Sequence, residues 1–340
     1  MHKIKNLQFF VTAFFGLCLL LSPLFSYANE PAVTQPHQKK VIKKVSKKPK
    51  KPKSKWSGNF SAGYQYNSNA TSEAVKRPKP TEQSGFKYPI SFGVNYEIFK
   101  HGPWALKASY SQSHSLYDKL LDNLTTATYS PSFTLTHKKE LADKRSLTTQ
   151  LKSGFSYTIL DHKYYNKVFT EQLTLTYPFT DWYKLKFAEK LNFDLYKSEG
   201  SKETVTSKQG FGNTSTITNY FYMNKKKTKY IEAGFVYDRD NPEGANFTKN
   251  EYDSDTAFNF PVLKDWTGDV GFKFKYAEYP KTTARIGRID RKYIPSTSLT
   301  IPLIDKWKLK IEYEYTDDDS NDPAFKHDNH TAGMVLSKSF

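Results

Sequence analysis

The residues that could do chemistry fall into two groups: acidic and histidine clusters, and alternating rows of lysine. Asp317, Asp318 and Asp319 lie close to His327 and His330, and His114 and His162 are expected in outer loops. Asp and His together can activate water or a serine, so hydrolysis, if present, would sit there. Its usual setting is missing from the sequence, which has no nucleophile-elbow motif and no His-Glu helix for a metal. The run from Asp317 to Asp322 offers oxygens to Ca²⁺ without the spacing of a calcium-binding loop. No phosphate-cradling glycine loop or cofactor motif appears. The clusters read best as solvated loop charge, and no catalytic residue, metal or cofactor is expected.

The lysines are more regular. Lys107, Lys152, Lys184, Lys186, Lys190, Lys273, Lys275, Lys308 and Lys310 alternate with apolar residues, as do the fewer acids Glu97, Asp194, Glu312 and Glu314. If the apolar phase faces lipid, these charges face a lumen that is polar and mainly basic. Rings of fixed charge set the selectivity of a water-filled pore, so a surplus of lysine would favour anions. The competing expectation is that these lysines pair with inward carboxylates and hold a plugged barrel together.

Such rows need strands to carry them. From Trp56 onward the dominant period is two, clearest in Phe86, Tyr88, Ile90, Phe92, Val94, Tyr96 and Ile98. Similar rows include 183–195, 270–276 and 307–315. Their connections alternate in length: tight ones such as 100–103, 180–181 and 304–306, then polar ones at 69–85, 114–125, 161–167, 197–208, 238–250, 280–290 and 316–329. Short-long alternation is the pattern of a transmembrane barrel, with tight periplasmic turns and longer outer loops. The expected fold is all-β, an antiparallel up-and-down barrel of about 14 strands over 56–340. Trp104, Trp182, Trp266 and Trp307 each sit beside a short turn, where an indole can keep its ring in lipid and its N–H wet. They are expected to form a girdle at the membrane interface. Pro131 falls inside an expected strand, and Glu171 and Glu189 fall on the lipid-facing phase, so all three fit this pattern poorly.

Composition agrees. Only 37% of residues are hydrophobic, yet 24 Tyr, 25 Phe and 5 Trp are present, a mixture suited to strands and interfaces and odd for a soluble α/β enzyme. Residues 1–28 read as a signal peptide: a basic start, an apolar run from Leu7 to Leu21, and Ser26-Tyr27-Ala28 as the cleavage site. The single Cys18 lies within it, so the exported chain would have no thiol chemistry. No later stretch of about 20 apolar residues exists, which leaves a closed barrel as the way into a membrane. Residues 29–55 form a Lys/Pro-rich linker in which ten lysines against Glu30 carry +9 of the formal +17. Like charges with few apolar side chains do not fold, so this periplasmic segment is expected to be disordered. Lys39 to Lys55 could act as a solvated spacer or touch anionic peptidoglycan. Export removes the chain from nucleic acid, which is not expected as a partner.

Ala332, Met334, Leu336 and Phe340 alternate to a carboxy-terminal Phe, with Lys338 where an apolar residue is usual. This resembles the insertion signal on the last strand of bacterial outer-membrane proteins, and it implies outer-membrane lipid and the barrel-insertion machinery as partners. The chain as a whole resembles uncharacterised, porin-like outer-membrane barrels. The segment from Asp319 through Phe325 and the final strand, about the last 25 residues, is also similar to the barrel domains of surface-lipoprotein assembly modifiers, whose helical-repeat domain is absent here. The resemblance bears on fold. The expected function is a bacterial outer-membrane channel for passive diffusion of small hydrophilic solutes, anions included, with Lys184, Lys186, Lys190, Lys273, Lys275, Lys308, Lys310, Glu312 and Glu314 lining the pore. The alternatives are a non-conducting barrel for surface-protein assembly, translocation or envelope contact, and a barrel hydrolase.

Overall fold

The computed structural model describes residues 54–70, 84–118, 121, 124–141, 145–196, 209–242, 248–263, 265–280 and 287–340. The signal peptide and nearly all of the linker lie outside these residues. Fourteen strands follow in chain order: β1 (Trp56–Asn67), β2 (Gly85–His101), β3 (Trp104–Tyr117), β4 (Thr126–Glu140), β5 (Ser146–Leu160), β6 (Lys163–Pro178), β7 (Tyr183–Tyr196), β8 (Gly210–Tyr222), β9 (Tyr230–Pro242), β10 (Lys249–Pro261), β11 (Thr267–Tyr279), β12 (Arg288–Pro302), β13 (Trp307–Ser320) and β14 (His327–Ser339). Each pairs antiparallel with its neighbours in sequence, and β1 pairs with β14, so the sheet closes and leaves no backbone edge. The expected strand number is the observed one.

Register sorts the side chains into two faces, because directly paired residues point the same way. One face carries Phe60, Phe92, Phe133, Phe235, Val270, Ile311 and Met334, all large apolar groups left exposed, Phe133 at 56%. The other carries the wall charges, among them Asp253 and Asp318, which are 4% and 1% exposed. Apolar outward and polar inward on a closed ladder is the construction of a β-barrel that spans a membrane, with every backbone group paired inside the sheet. The chain is an outer-membrane β-barrel. Among the described residues no helix is long and apolar enough to cross a membrane.

The short-turn end gathers the indoles. Trp104 and Trp307 begin β3 and β13, while Trp182 and Trp266 immediately precede β7 and β11. Trp56, which has no short turn in front of it, begins β1 at the same end and lies 4.6 Å from the Tyr96 ring, so all five share one rim. Lys338 breaks the apolar row of β14, but its ammonium sits 5.2 Å from the Trp307 ring. A lysine there can lay its stem along the apolar wall and keep its charge at the rim.

Three expectations need correction. The connection expected over 161–167 is a two-residue turn: β5 runs to Leu160, β6 starts at Lys163, and Asp161 and His162 take φ of 48° and 57°. Two successive left-handed residues match a two-residue hairpin, and Asp tolerates that geometry better than most side chains. The loop expected over 316–329 is mostly strand, since β13 continues to Ser320 opposite β12 and β14. The expected connection over 238–250 likewise shrinks, because β9 and β10 pair from Asp240 and Lys249 onward. Pro131 does lie in β4. It pairs with Tyr110 of β3, while the ladder to β5 skips from Tyr129 to Ser132, where the missing N–H is tolerated.

Candidate functional site

The lumen wall is built from register rows that climb the barrel. One row runs from Glu97 through Lys107, Thr134, Lys152, Gln172, Lys190, Thr214 and Asp238 to Glu251. Another joins Lys184, Tyr220 and Glu232 and continues across β10 to β13 as far as Glu314. All the charges read from the sequence as inward share this face of the sheet.

They are not equivalent in company. On β9 to β13 every inward lysine but Lys308 is paired with a carboxylate. Lys249 lies 3.2 Å from Asp238, 3.5 Å from Asp240 and 3.2 Å from Glu251. Lys275 reaches Glu251 at 3.0 Å and Asp253 at 3.2 Å, and Lys273 reaches Asp253 at 3.1 Å. Lys292 holds Asp318 at 2.6 Å. Glu312 accepts from Lys310 and from Gln65, each at 2.7 Å. On β3, β5 and β7 the balance differs. Among the described residues Lys107, Lys152, Lys186 and Lys190 make no salt bridge, and neither does Lys308 of β13. Lys184 instead rests 3.6 Å from the centroid of Tyr220. The two arrangements expected for the lysines therefore coexist on different arcs of one wall: open basic charge on one side, an acid-rich lattice on the other.

Of the acidic and histidine clusters, only Asp318 and His327 are brought together. Strand geometry sends Asp318 inward, to Lys292, and Asp317 and Asp319 outward, so the run cannot wrap one ion. His327 Nδ1 lies 2.9 Å from the Phe325 carbonyl and 3.6 Å from Asp318 Oδ2. His330 Nδ1 meets the Tyr313 hydroxyl at 2.8 Å on the outer face. His114, expected in a loop, lies within β3 because that strand pairs with β2 as far as Tyr117, and it bonds Gln112 on the outer face at 2.5 Å; His162 sits in the β5–β6 turn.

Two features at the outer mouth go beyond the sequence reading. Leu121 folds against the inward side of Gly85, whose Cβ position lies 2.3 Å from a Leu121 methyl, and packs with Ala70 and Leu124 into a small apolar core. Neighbouring polar groups pin it: Phe86 N–H donates to Asp118 Oδ2 at 3.1 Å, and Asn69 N–H to Asn329 Oδ1 at 2.9 Å. The second feature is the β13–β14 connection. Ser320 donates to Asp290 at 2.7 Å, and Asn321 brackets β12 by donating to the Gly287 carbonyl and accepting from Ile289 N–H. Arg288 is clamped between the rings of Tyr279 and Phe325, 3.5 and 3.9 Å from their centroids. Lys326, outside the strands, hydrogen-bonds Asp319 at 3.0 Å, and that bond raises its pKa above the ordinary lysine value. Leu121 could not be found from the sequence because nothing local marks a leucine as folding inward.

No family model and no curated protein matches the sequence. Solved structures do. OmpT of Vibrio cholerae, an outer-membrane protein, shares 11% identity at a TM-score of 0.46 over 84% of this chain and 98% of its own. OmpF of Salmonella typhi, solved with daunomycin, shares 9% at 0.47 over 84% and 97%. The outer-membrane channel DcaP of Acinetobacter baumannii shares 8% at 0.47 over 84% and 96%.

Proposed function

We propose that this barrel is a passive channel for small hydrophilic solutes, with a bias toward anions. The supporting observation is the interior face: a closed ring of fourteen strands that carries ionisable side chains in successive rows. A barrel of about eight strands fills its interior with side chains, so one of this size holds water or a plug. Salt-bridged and unpaired charges facing that space are compatible with water and costly without it. Lys107, Lys152, Lys186 and Lys190 supply the anion bias, with Lys308 at the short-turn rim. The five indoles mark the membrane interface at that rim, and Phe340, Met334 and Leu336 serve insertion. The linker from Lys39 to Lys55 contacts anionic peptidoglycan in this reading.

Purified protein reconstituted in a planar bilayer tests the channel. Stepwise conductance and a reversal potential displaced toward chloride in a salt gradient are expected. Absence of steps, or a cation preference unmoved by replacing these lysines, overturns it. The small core around Leu121 favours a second reading, a barrel closed at its outer mouth. Leu121→Asp should then raise conductance sharply, whereas an open channel would gain little.

A further inference from the structure

Most tyrosines in this barrel face lipid; of those that face inward, three gather at the short-turn end. Tyr220 and Tyr222 are two residues apart on β8 and so share a face, with ring centroids 6.4 Å apart and planes within 12°. Tyr230 is the register partner of Tyr222, and its ring lies 5.7 Å from Tyr222 and 6.2 Å from Tyr220. The pairing of Tyr220 with Lys184 and Glu232 puts all three rings on the charged, inward face. They stand at the short-turn end, where a solute would leave the pore.

The surroundings carry both signs of charge. Lys184 is shared between Tyr220, 3.6 Å from the centroid, and Tyr222, 5.7 Å. Glu232 stands opposite Tyr220 on β9. The row of Tyr222 and Tyr230 continues through Asn259 to Asp269, two strand spacings or about 10 Å along the wall. Asp269 in turn borders a cavity of about 310 Å³ with Lys310, Glu312 and Glu314 among its walls. Aromatic faces are partly negative and attract C–H groups, while carboxylates and ammoniums bond hydroxyls from either side.

We infer that Tyr220, Tyr222 and Tyr230 form a stacking platform for a neutral saccharide of about two pyranose units, with Glu232, Asp269 and Lys184 bonding its hydroxyls. A pyranose presents a C–H face to the rings and a rim of hydroxyls that both donate and accept. An aromatic acid could use the rings and Lys184, but its charge would meet Glu232 and Asp269. A simple ion would need no rings. Apolar and aromatic contact with a few oriented polar groups is the general make-up of a small-ligand site.

The inference rests on the channel reading, and one preparation separates the two. In a planar bilayer cellobiose should block the ion current in a saturable way, while glycerol, which has no ring, and benzoate should not. Tyr220→Leu and Tyr222→Leu should each weaken the block about tenfold and leave the conductance in plain salt little changed. Tyr222→Phe should retain the block, since the ring is kept. Block by cellobiose that survives both leucine variants overturns the platform, and so does block by benzoate alone. If the wild type does not conduct, the channel reading fails. Calorimetry with cellobiose on the same detergent-solubilised barrel then decides the platform, where ring-dependent heat supports it and no heat overturns it.

Discussion

Arg288 owes its place to two rings rather than to its ion pair. Its Nε lies 3.3 Å from Asp290, yet at an angle that makes no hydrogen bond, while the guanidinium plane is sandwiched by Tyr279 and Phe325. A planar cation stacks where a compact ammonium does not, and such contacts contribute ~1 kcal/mol or more when partly desolvated. Arg288→Lys should therefore keep the charge and still loosen the β13–β14 connection, seen as faster proteolysis at Asn321 to Lys326 and a lower melting temperature in detergent. Equal protection in both proteins would assign the hold to charge. The sequence marks the run from Asp319 to Phe325 as distinctive, but it does not reveal its partner some thirty residues earlier, because only the register of β12 on β13 brings the two together. Lys338 shows the opposite case. It reads as a fault in the last strand until Trp307 is placed beside it.

At the scale of strands, alternation alone determines most of the barrel, since a period of two with one apolar face leaves little freedom in count or facing. What it misjudges is where strands stop. Polar residues at strand ends, such as Asp238 and Asp240, read as loop because their partner Lys249 lies on another strand. The carboxylates on the outer face of β6 and β7 are real misfits. Glu171 accepts from Ser153 at 2.7 Å, and Glu189 from Ser215 at 2.6 Å, each with one hydroxyl for company in a lipid-facing row. One hydrogen bond does not compensate the transfer of a carboxyl into hydrocarbon, where charge costs ~2 kcal/mol or more. Replacing the pair Ser153 and Glu171 by Ala and Leu should raise stability by ~1–2 kcal/mol in urea unfolding from vesicles. A fall would mean that this face is covered by something other than lipid. The seam between β1 and β14 is tighter. Phe340 exchanges two backbone hydrogen bonds of 3.0 Å with Gly58, and its ring lies 2.4 Å from where a Cβ of residue 58 would stand. The Gly93 carbonyl blocks the other side at 2.7 Å. Gly58→Val should displace Phe340 and lower the yield of heat-modifiable, folded barrel on gels, whereas Phe340→Tyr should leave it near normal.

The barrel as a whole distributes its interior charge unevenly, and that asymmetry governs what its pore would admit. The lysines of β3, β5 and β7 stand without salt bridges, whereas the acids of β9 to β13 are largely engaged with lysines of the same arc. In the proposed channel a mobile ion would meet lysines without salt bridges on one side and a lattice of largely paired charge on the other. Replacing Lys107, Lys152 and Lys190, which share one register row, by Glu changes that row by six charges without touching an ion pair. In the proposed channel the reversal potential in a tenfold KCl gradient should then cross from the chloride side of zero to the potassium side. Salt should weaken the contrast, since the screening length falls from ~10 Å at 0.1 M to ~3 Å at 1 M and a charge on the wall then no longer reaches the axis. Selectivity that inverts at low salt and converges at high salt locates the filter on these strands. Selectivity indifferent to the three substitutions at every concentration would move it to the outer mouth, where Arg288, Asp290 and Asp318 lie.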